Sequence, residues 1–144
     1  MESFELNFEN IQPLRLNSGP IVVVDDDPAE LVIIKKSYEK SKRTNPLICL
    51  NSGTELHKLL EKVQKNETPM PALVLLDINM PNKNGFDILE EIRRRPEFVN
   101  VPIIIMITSS DLKKDKEQAL KLKANGFLTK ATHLHEYIKF FREI

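Results

Sequence analysis

From Gly19 onward, five short apolar runs alternate with stretches of helical period, and that alternation leaves few folds open. The runs are "PIVVV", "LICL", "ALVLL", "PIIIMI" and "GFLT". The second to fourth lack polar–apolar alternation, as strands covered on both faces do, which is the habit of parallel sheets in α/β proteins. Between the runs, residues 54–66 place Leu56, Leu59, Leu60 and Val63 at i, i+3, i+4 and i+7. Residues 28–42 align Leu31, Ile34 and Tyr38, residues 86–95 align Phe86, Leu89 and Ile92, and residues 132–144 carry Leu134, Tyr137, Ile138 and Phe141. Five β–α units with right-handed crossovers predict one α/β domain: a doubly wound five-stranded parallel sheet, strand order 2-1-3-4-5.

Two segments fit less firmly. Residues 110–125 contain helix formers and a stop at Asn125-Gly126, but little apolar surface beyond Leu112, Ala119 and Leu122. A helix with so little to bury is expected to be among the less stable elements and to shift or fray. In residues 1–18, Phe4, Leu6 and Phe8 alternate. That pattern allows either an extended segment packed on a sheet edge or a mobile tail.

Bulk properties exclude several functions. The 144 residues suit one domain, and Lys+Arg 21 against Asp+Glu 21 leaves no net field to attract nucleic acid or anionic lipid. No apolar stretch approaches the roughly 20 residues of a membrane span. "MESFELNFEN" lacks the basic region of a secretory signal, and the lone Cys49 fits a buried small hydrophobe in a reducing compartment. A cytoplasmic protein is expected.

In such a sheet, ligands bind beyond the carboxyl ends of the strands, at the switch point in strand order. There the first run ends in Asp25-Asp26, the third in Asp77, the fourth in Thr108, Ser109 and Ser110, and the fifth in Lys130. Two carboxylates ~4 Å apart repel by roughly 4 kcal/mol at an effective dielectric near 20. A divalent cation removes that conflict, and an all-oxygen set favours Mg²⁺. Asp77, beside a cation and Lys130, is then a candidate nucleophile that could take a phosphoryl group as an acyl phosphate. Asp27 has a different role: with Pro28 at the first helical position, it reads as a helix N-cap, and Glu30 is placed to complete a capping box.

Over residues 19–144 the chain resembles the receiver domain of two-component response regulators, through "VVVDDDP", "LVLLDINMPNKNGFDIL", "PIIIMITSS" and "GFLTK" in that order. The finer pattern looks most like the small stand-alone regulators paired with phytochrome-type sensor kinases. The resemblance implies a flavodoxin-like receiver fold at 19–144, preceded by an extension at 1–18. It implies that Asp26 ligates Mg²⁺ directly with Asp25 beside it, that Asp77 is phosphoacceptor and metal ligand, and that the Asn79 backbone carbonyl is a further ligand. It implies that Thr108 hydrogen-bonds one phosphoryl oxygen, that Lys130 pairs with another, and that Phe127 is the switch aromatic. The phosphoryl donor would be a histidine kinase or a histidine phosphotransfer protein.

The family usually has Lys-Pro with a cis bond after the fifth strand, whereas this chain has Lys130-Ala131. A cis bond is expected to be retained here, because it aims the lysine. His57, His133 and His135 are expected on solvated faces, the run Arg93–Arg95 as helix-end charge favourable near the C-terminal dipole, and Phe140 and Ile144 as exposed apolar positions for a partner or self-dimer. The chain is expected to act as a monomer or weak homodimer whose output is binding another protein, since no output domain follows the last helix. Two other readings compete. One is a phosphatase of the haloacid dehalogenase kind, disfavoured because Asn79 stands where that class has its general acid. The other is a degenerate receiver acting as a phosphate-independent interaction module.

Overall fold

The computed structural model describes residues 4–5, 16–81, 83–109, 113–130 and 133–144. The strands are β1 (Phe4–Glu5), β2 (Ile21–Val24), β3 (Leu47–Leu50), β4 (Leu73–Asp77), β5 (Ile103–Thr108) and β6 (Gly126–Thr129). The helices are α1 (Pro28–Ser41), α2 (Gly53–Gln64), α3 (Gly85–Arg94), α4 (Lys113–Lys121) and α5 (Leu134–Glu143), with a 3-10 turn at Pro96–Phe98.

The sheet order is β1-β6-β5-β4-β2-β3. Its five parallel strands, β2 to β6, therefore carry the expected order 2-1-3-4-5. The sixth strand is the short β1, which pairs antiparallel with β6 in the register Phe4↔Leu128 and Glu5↔Phe127. Of the two readings of the N-terminus, the edge strand holds for Phe4–Glu5; Leu6 and Phe8 lie outside the described residues.

Alternate residues of each strand feed two cores. Val22, Val24, Val74, Leu76, Ile104, Met106 and Phe127 pack against Leu56 and Leu60 of α2, Ile88, Leu89 and Ile92 of α3 and Ala119 of α4. Ile21, Val23, Leu73, Leu75, Ile105, Ile107 and Leu128 pack against Ile34 and Tyr38 of α1 and Tyr137, Phe140 and Phe141 of α5. Every residue of β2 and β4 is buried, which accounts for their unbroken apolar sequence. β3 has one parallel neighbour and is only half-buried, Cys49 with it.

Several expectations need correction. Phe140 and Ile144 are buried, not exposed, because both turn onto the α1–α5 core. Arg93 stands in the last turn of α3, as expected, and is also buried: its guanidinium donates to the carbonyls of Lys123 and Phe98 and to Asn125 Oδ1, joining the end of α3 to the α4–β6 connection. Burial lowers its pKa to about 10. His57 is half-buried and meets Glu91 at 2.9 Å. The thin face of α4 is as the sequence indicates, with Ala119 its buried residue and Leu120 exposed. Leu112, Ser110 and the Lys130–Ala131 bond, with its expected cis geometry, lie outside the described residues.

Candidate functional site

The site forms where parallel strands run out of partners. Asp25 follows β2, and its N–H still donates to Leu50 O at 3.0 Å, so its side chain is drawn in and fully buried. Its Oδ1 accepts the N–H of Asp27 at 2.9 Å. That turns the chain outward, leaving Asp26 exposed and Asp27 at the N-cap of α1, where its carboxylate accepts the Ala29 N–H at 3.0 Å. The expected capping box does not form. Asp25 already holds the Asp27 N–H, and Glu30 instead accepts a short hydrogen bond from the Tyr137 hydroxyl on α5.

Asp77 closes β4 and is 1% exposed. Its Oδ1 accepts the Asn79 N–H at 3.3 Å. The next turn folds back tightly, with Gly85 N–H donating to Ile78 O at 2.8 Å. A Cβ on Gly85 would lie 2.3 Å from Asp77 O, so only glycine lets α3 start this close to the strand. Thr108 closes β5 and is fully buried; its Oγ1 accepts the Asn79 side-chain amide at 3.2 Å. Its carbonyl accepts the Lys130 N–H at 2.6 Å, which anchors the lysine just past β6. Lys130 Nζ then stands 3.2 Å from Asp25 Oδ2 and 3.6 Å from Asp77 Oδ1.

Of the residues expected at the rim, Asp25, Asp26, Asp77 and Lys130 therefore meet, and Asn79 joins Thr108 to Asp77. Asp25, Asp26 and Asp77 each offer a carboxylate oxygen within 4.8 Å of the others. Burial, then the charge of Asp25, pushes the Asp77 pKa up from 3.8 to about 7, against the lowering pull of Lys130 and of the Asn79 N–H. Burial alone would lower the Lys130 pKa, but Asp77 and Asp25 outweigh it and the net shift is upward. Among the described residues, Asp77 Oδ2 is buried with no hydrogen-bond partner, and the buried Asp25 Oδ2 faces the Lys130 ammonium at 3.2 Å. Buried carboxylate oxygens left this way suit a hard divalent cation. A groove of about 370 Å³, lined in part by Asp26, Thr54, His57, Met80 and Lys83, gives access to the exposed side of the cluster.

Phe127 is 2% exposed, inside the core beside α4, rather than at the rim. Two features were not anticipated: the Asn79 amide on Thr108 and the Glu30–Tyr137 bond. Both join residues remote in sequence, and neither has a local signal.

Residues 21–142 match the family model of the response regulator receiver domain. The chain belongs to that family. This receiver domain is thus a component of two-component signalling. Response regulator Rcp1 of Synechocystis sp. is 30% identical over 125 residues, spanning 86% of this chain and 84% of its own. The crystal structure of Mn²⁺-bound Rcp1 superposes with a TM-score of 0.71 at 28% identity, covering 85% of this receiver and 88% of Rcp1. The bacteriophytochrome response regulator AtBRR gives 0.69 at 27% identity, covering 90% and 93%. No helix of the described residues is long and apolar enough to cross a membrane.

Proposed function

We propose that this receiver domain, residues 19–144 behind an extension at 1–18, accepts a phosphoryl group on Asp77 from a histidine kinase or histidine phosphotransfer protein and changes its protein-binding face in response. The observation that carries this reading is the buried Asp77 carboxylate, unpartnered at Oδ2 and 3.6 Å from the Lys130 ammonium at Oδ1. The Asp25, Asp26 and Asp77 carboxylates and the Asn79 backbone carbonyl are the groups that would hold Mg²⁺. When bound, Mg²⁺ supplies charge neutralisation for the transferring phosphoryl oxygens.

This chain's residues do the rest. An Asp77 oxygen attacks phosphorus, the phosphorus–nitrogen bond to the donor imidazole breaks, and the freed imidazole takes a proton from water. Lys130 holds one phosphoryl oxygen, and the Thr108 hydroxyl donates to another. Thr108 moves inward, Phe127 adjusts with it, and α4, which buries little, repacks. The phosphoryl charge thereby biases two packings of one domain. The output is binding to another protein rather than turnover of a substrate. The chain works in the cytoplasm as a monomer or weak homodimer; its balanced charge supports neither nucleic acid nor membrane as partner.

Acetyl phosphate with Mg²⁺ tests the reading by intact mass. The wild type should gain one acid-stable, base-labile phosphoryl group, and Asp77→Asn should gain none. A wild type that never labels, and that does not bind beryllofluoride with Mg²⁺, would instead be a degenerate, phosphate-independent module.

A further inference from the structure

Asn79 touches both halves of the proposed switch. Its backbone N–H donates to Asp77 Oδ1 at 3.3 Å, and its side-chain amide donates to Thr108 Oγ1 at 3.2 Å. The side chain is at the surface, whereas Thr108 is fully buried at the end of β5. A neutral amide–hydroxyl bond of this kind has no part in holding β4 to β5, since the strands are already joined through paired backbone from Leu73↔Ile103 to Asp77↔Ile107, and Ile78 N–H donates to Ile107 O at 2.9 Å. What the amide does constrain is where the Thr108 hydroxyl sits.

We propose that Asn79 is a positioning residue that latches Thr108: its amide, bonded to Thr108 Oγ1, holds the switch threonine in the resting position, so the phosphoryl group must break that bond to draw the threonine in. The inference rests on Asp77 being the phosphoacceptor and Thr108 the switch hydroxyl. The side-chain amide is anchored two residues from Asp77, on the loop that follows β4, so it opposes motion of Thr108, while the contact to Asp77 Oδ1 is made by the Asn79 backbone N–H. One neutral hydrogen bond exposed to water on one side is worth about 0.5–1 kcal/mol, which is a two- to fivefold change in a two-state equilibrium. The latch therefore sets how far the unphosphorylated population already leans toward the active packing, and leaves the larger bias to the phosphoryl charge.

The test is a double-mutant cycle read by nuclear magnetic resonance, since the chain has no tryptophan to report the change. The residue-108 methyl and Phe127 amide shifts are followed in wild type, Asn79→Ala, Thr108→Val and the double variant. Each is measured metal-free and at saturating Mg²⁺ and beryllofluoride. In Asn79→Ala the metal-free shifts should move toward the beryllofluoride-bound positions, by a two- to fivefold change in the population ratio. In the Thr108→Val background the same substitution should move nothing, because the hydroxyl it acts on is gone. A general loosening of the loop would give equal displacements in both backgrounds and would overturn the proposal. So would a shift of Asn79→Ala away from the active positions, which would make the amide a helper of the active state. Failure of the wild type itself to bind beryllofluoride would sink the functional reading, a result separate from failure of the latch.

Discussion

Replacing Asp77 by asparagine should stabilise the metal-free protein at alkaline pH. The Asp77 pKa is raised from 3.8 to about 7, by burial first and the neighbouring Asp25 second. A carboxyl whose native pKa exceeds its unfolded value binds its proton more tightly in the fold. Its contribution to stability is then whole below about pH 4 and is lost as pH rises to about 7. Three units at about 1.4 kcal/mol each set a ceiling of about 4 kcal/mol, and solvent reaching the exposed Asp26 side of the cluster reduces it to about 2–4. The raised pKa of Lys130 lies in the opposite part of the scale and does not enter this window. Asparagine keeps the volume and an oxygen for the Asn79 N–H but carries no charge. Urea unfolding in chelator should therefore show Asp77→Asn more stable than wild type at pH 8, with the gain falling by more than half at pH 5. Added Mg²⁺ should close the gap by stabilising wild type more. Equal gains at both pH values, or a variant less stable than wild type at pH 8, would refute the electrostatic account of the cluster.

Other expectations follow from single contacts. Asp27→Ala removes the N-cap acceptor of Ala29 and should cost about 1 kcal/mol in denaturant melts while leaving phosphorylation nearly intact, whereas Asp26→Ala should abolish Mg²⁺-dependent labelling. Gly85→Ala would press a Cβ to 2.3 Å from Asp77 O, so thermal melts should fall by several degrees and labelling should drop with them. Arg93→Met deprives two carbonyls and the Asn125 side chain of a charged donor, and about 3 kcal/mol of stability should go with it in urea unfolding.

How much was legible in advance depended on range. Strand order and the two-core arrangement followed from unbroken apolar runs and helical periods, because each records its own burial whatever packs on it. Asp25, Asp26, Asp77, Thr108 and Lys130 were placed together because each ends a parallel strand, and one rule of sheet geometry puts all strand ends on one rim. The burial of Phe140 and Ile144 was misjudged, and the buried hydrogen bonds of Arg93, placed at the helix end as expected, were not foreseen. Helix-face position says which way a residue points but not which neighbour arrives to cover it or accept its hydrogen bonds.

The run Asp25-Asp26-Asp27 shows the division in one place. Sequence alone separated a carboxylate pair at the strand end from a helix cap, since Pro28 fixes where the helix begins and a cap must precede it. Only the tertiary structure decided that Asp25, not Glu30, holds the Asp27 N–H, and that Glu30 is drawn away to Tyr137. The sequence likewise determined which carboxylates would crowd, but the Asp77 pKa near 7 depends on burial and on how close Asp25 and Lys130 come. Hydrogen bonds between chain-distant groups and the local dielectric are set by packing in three dimensions, and no local pattern of residues encodes them.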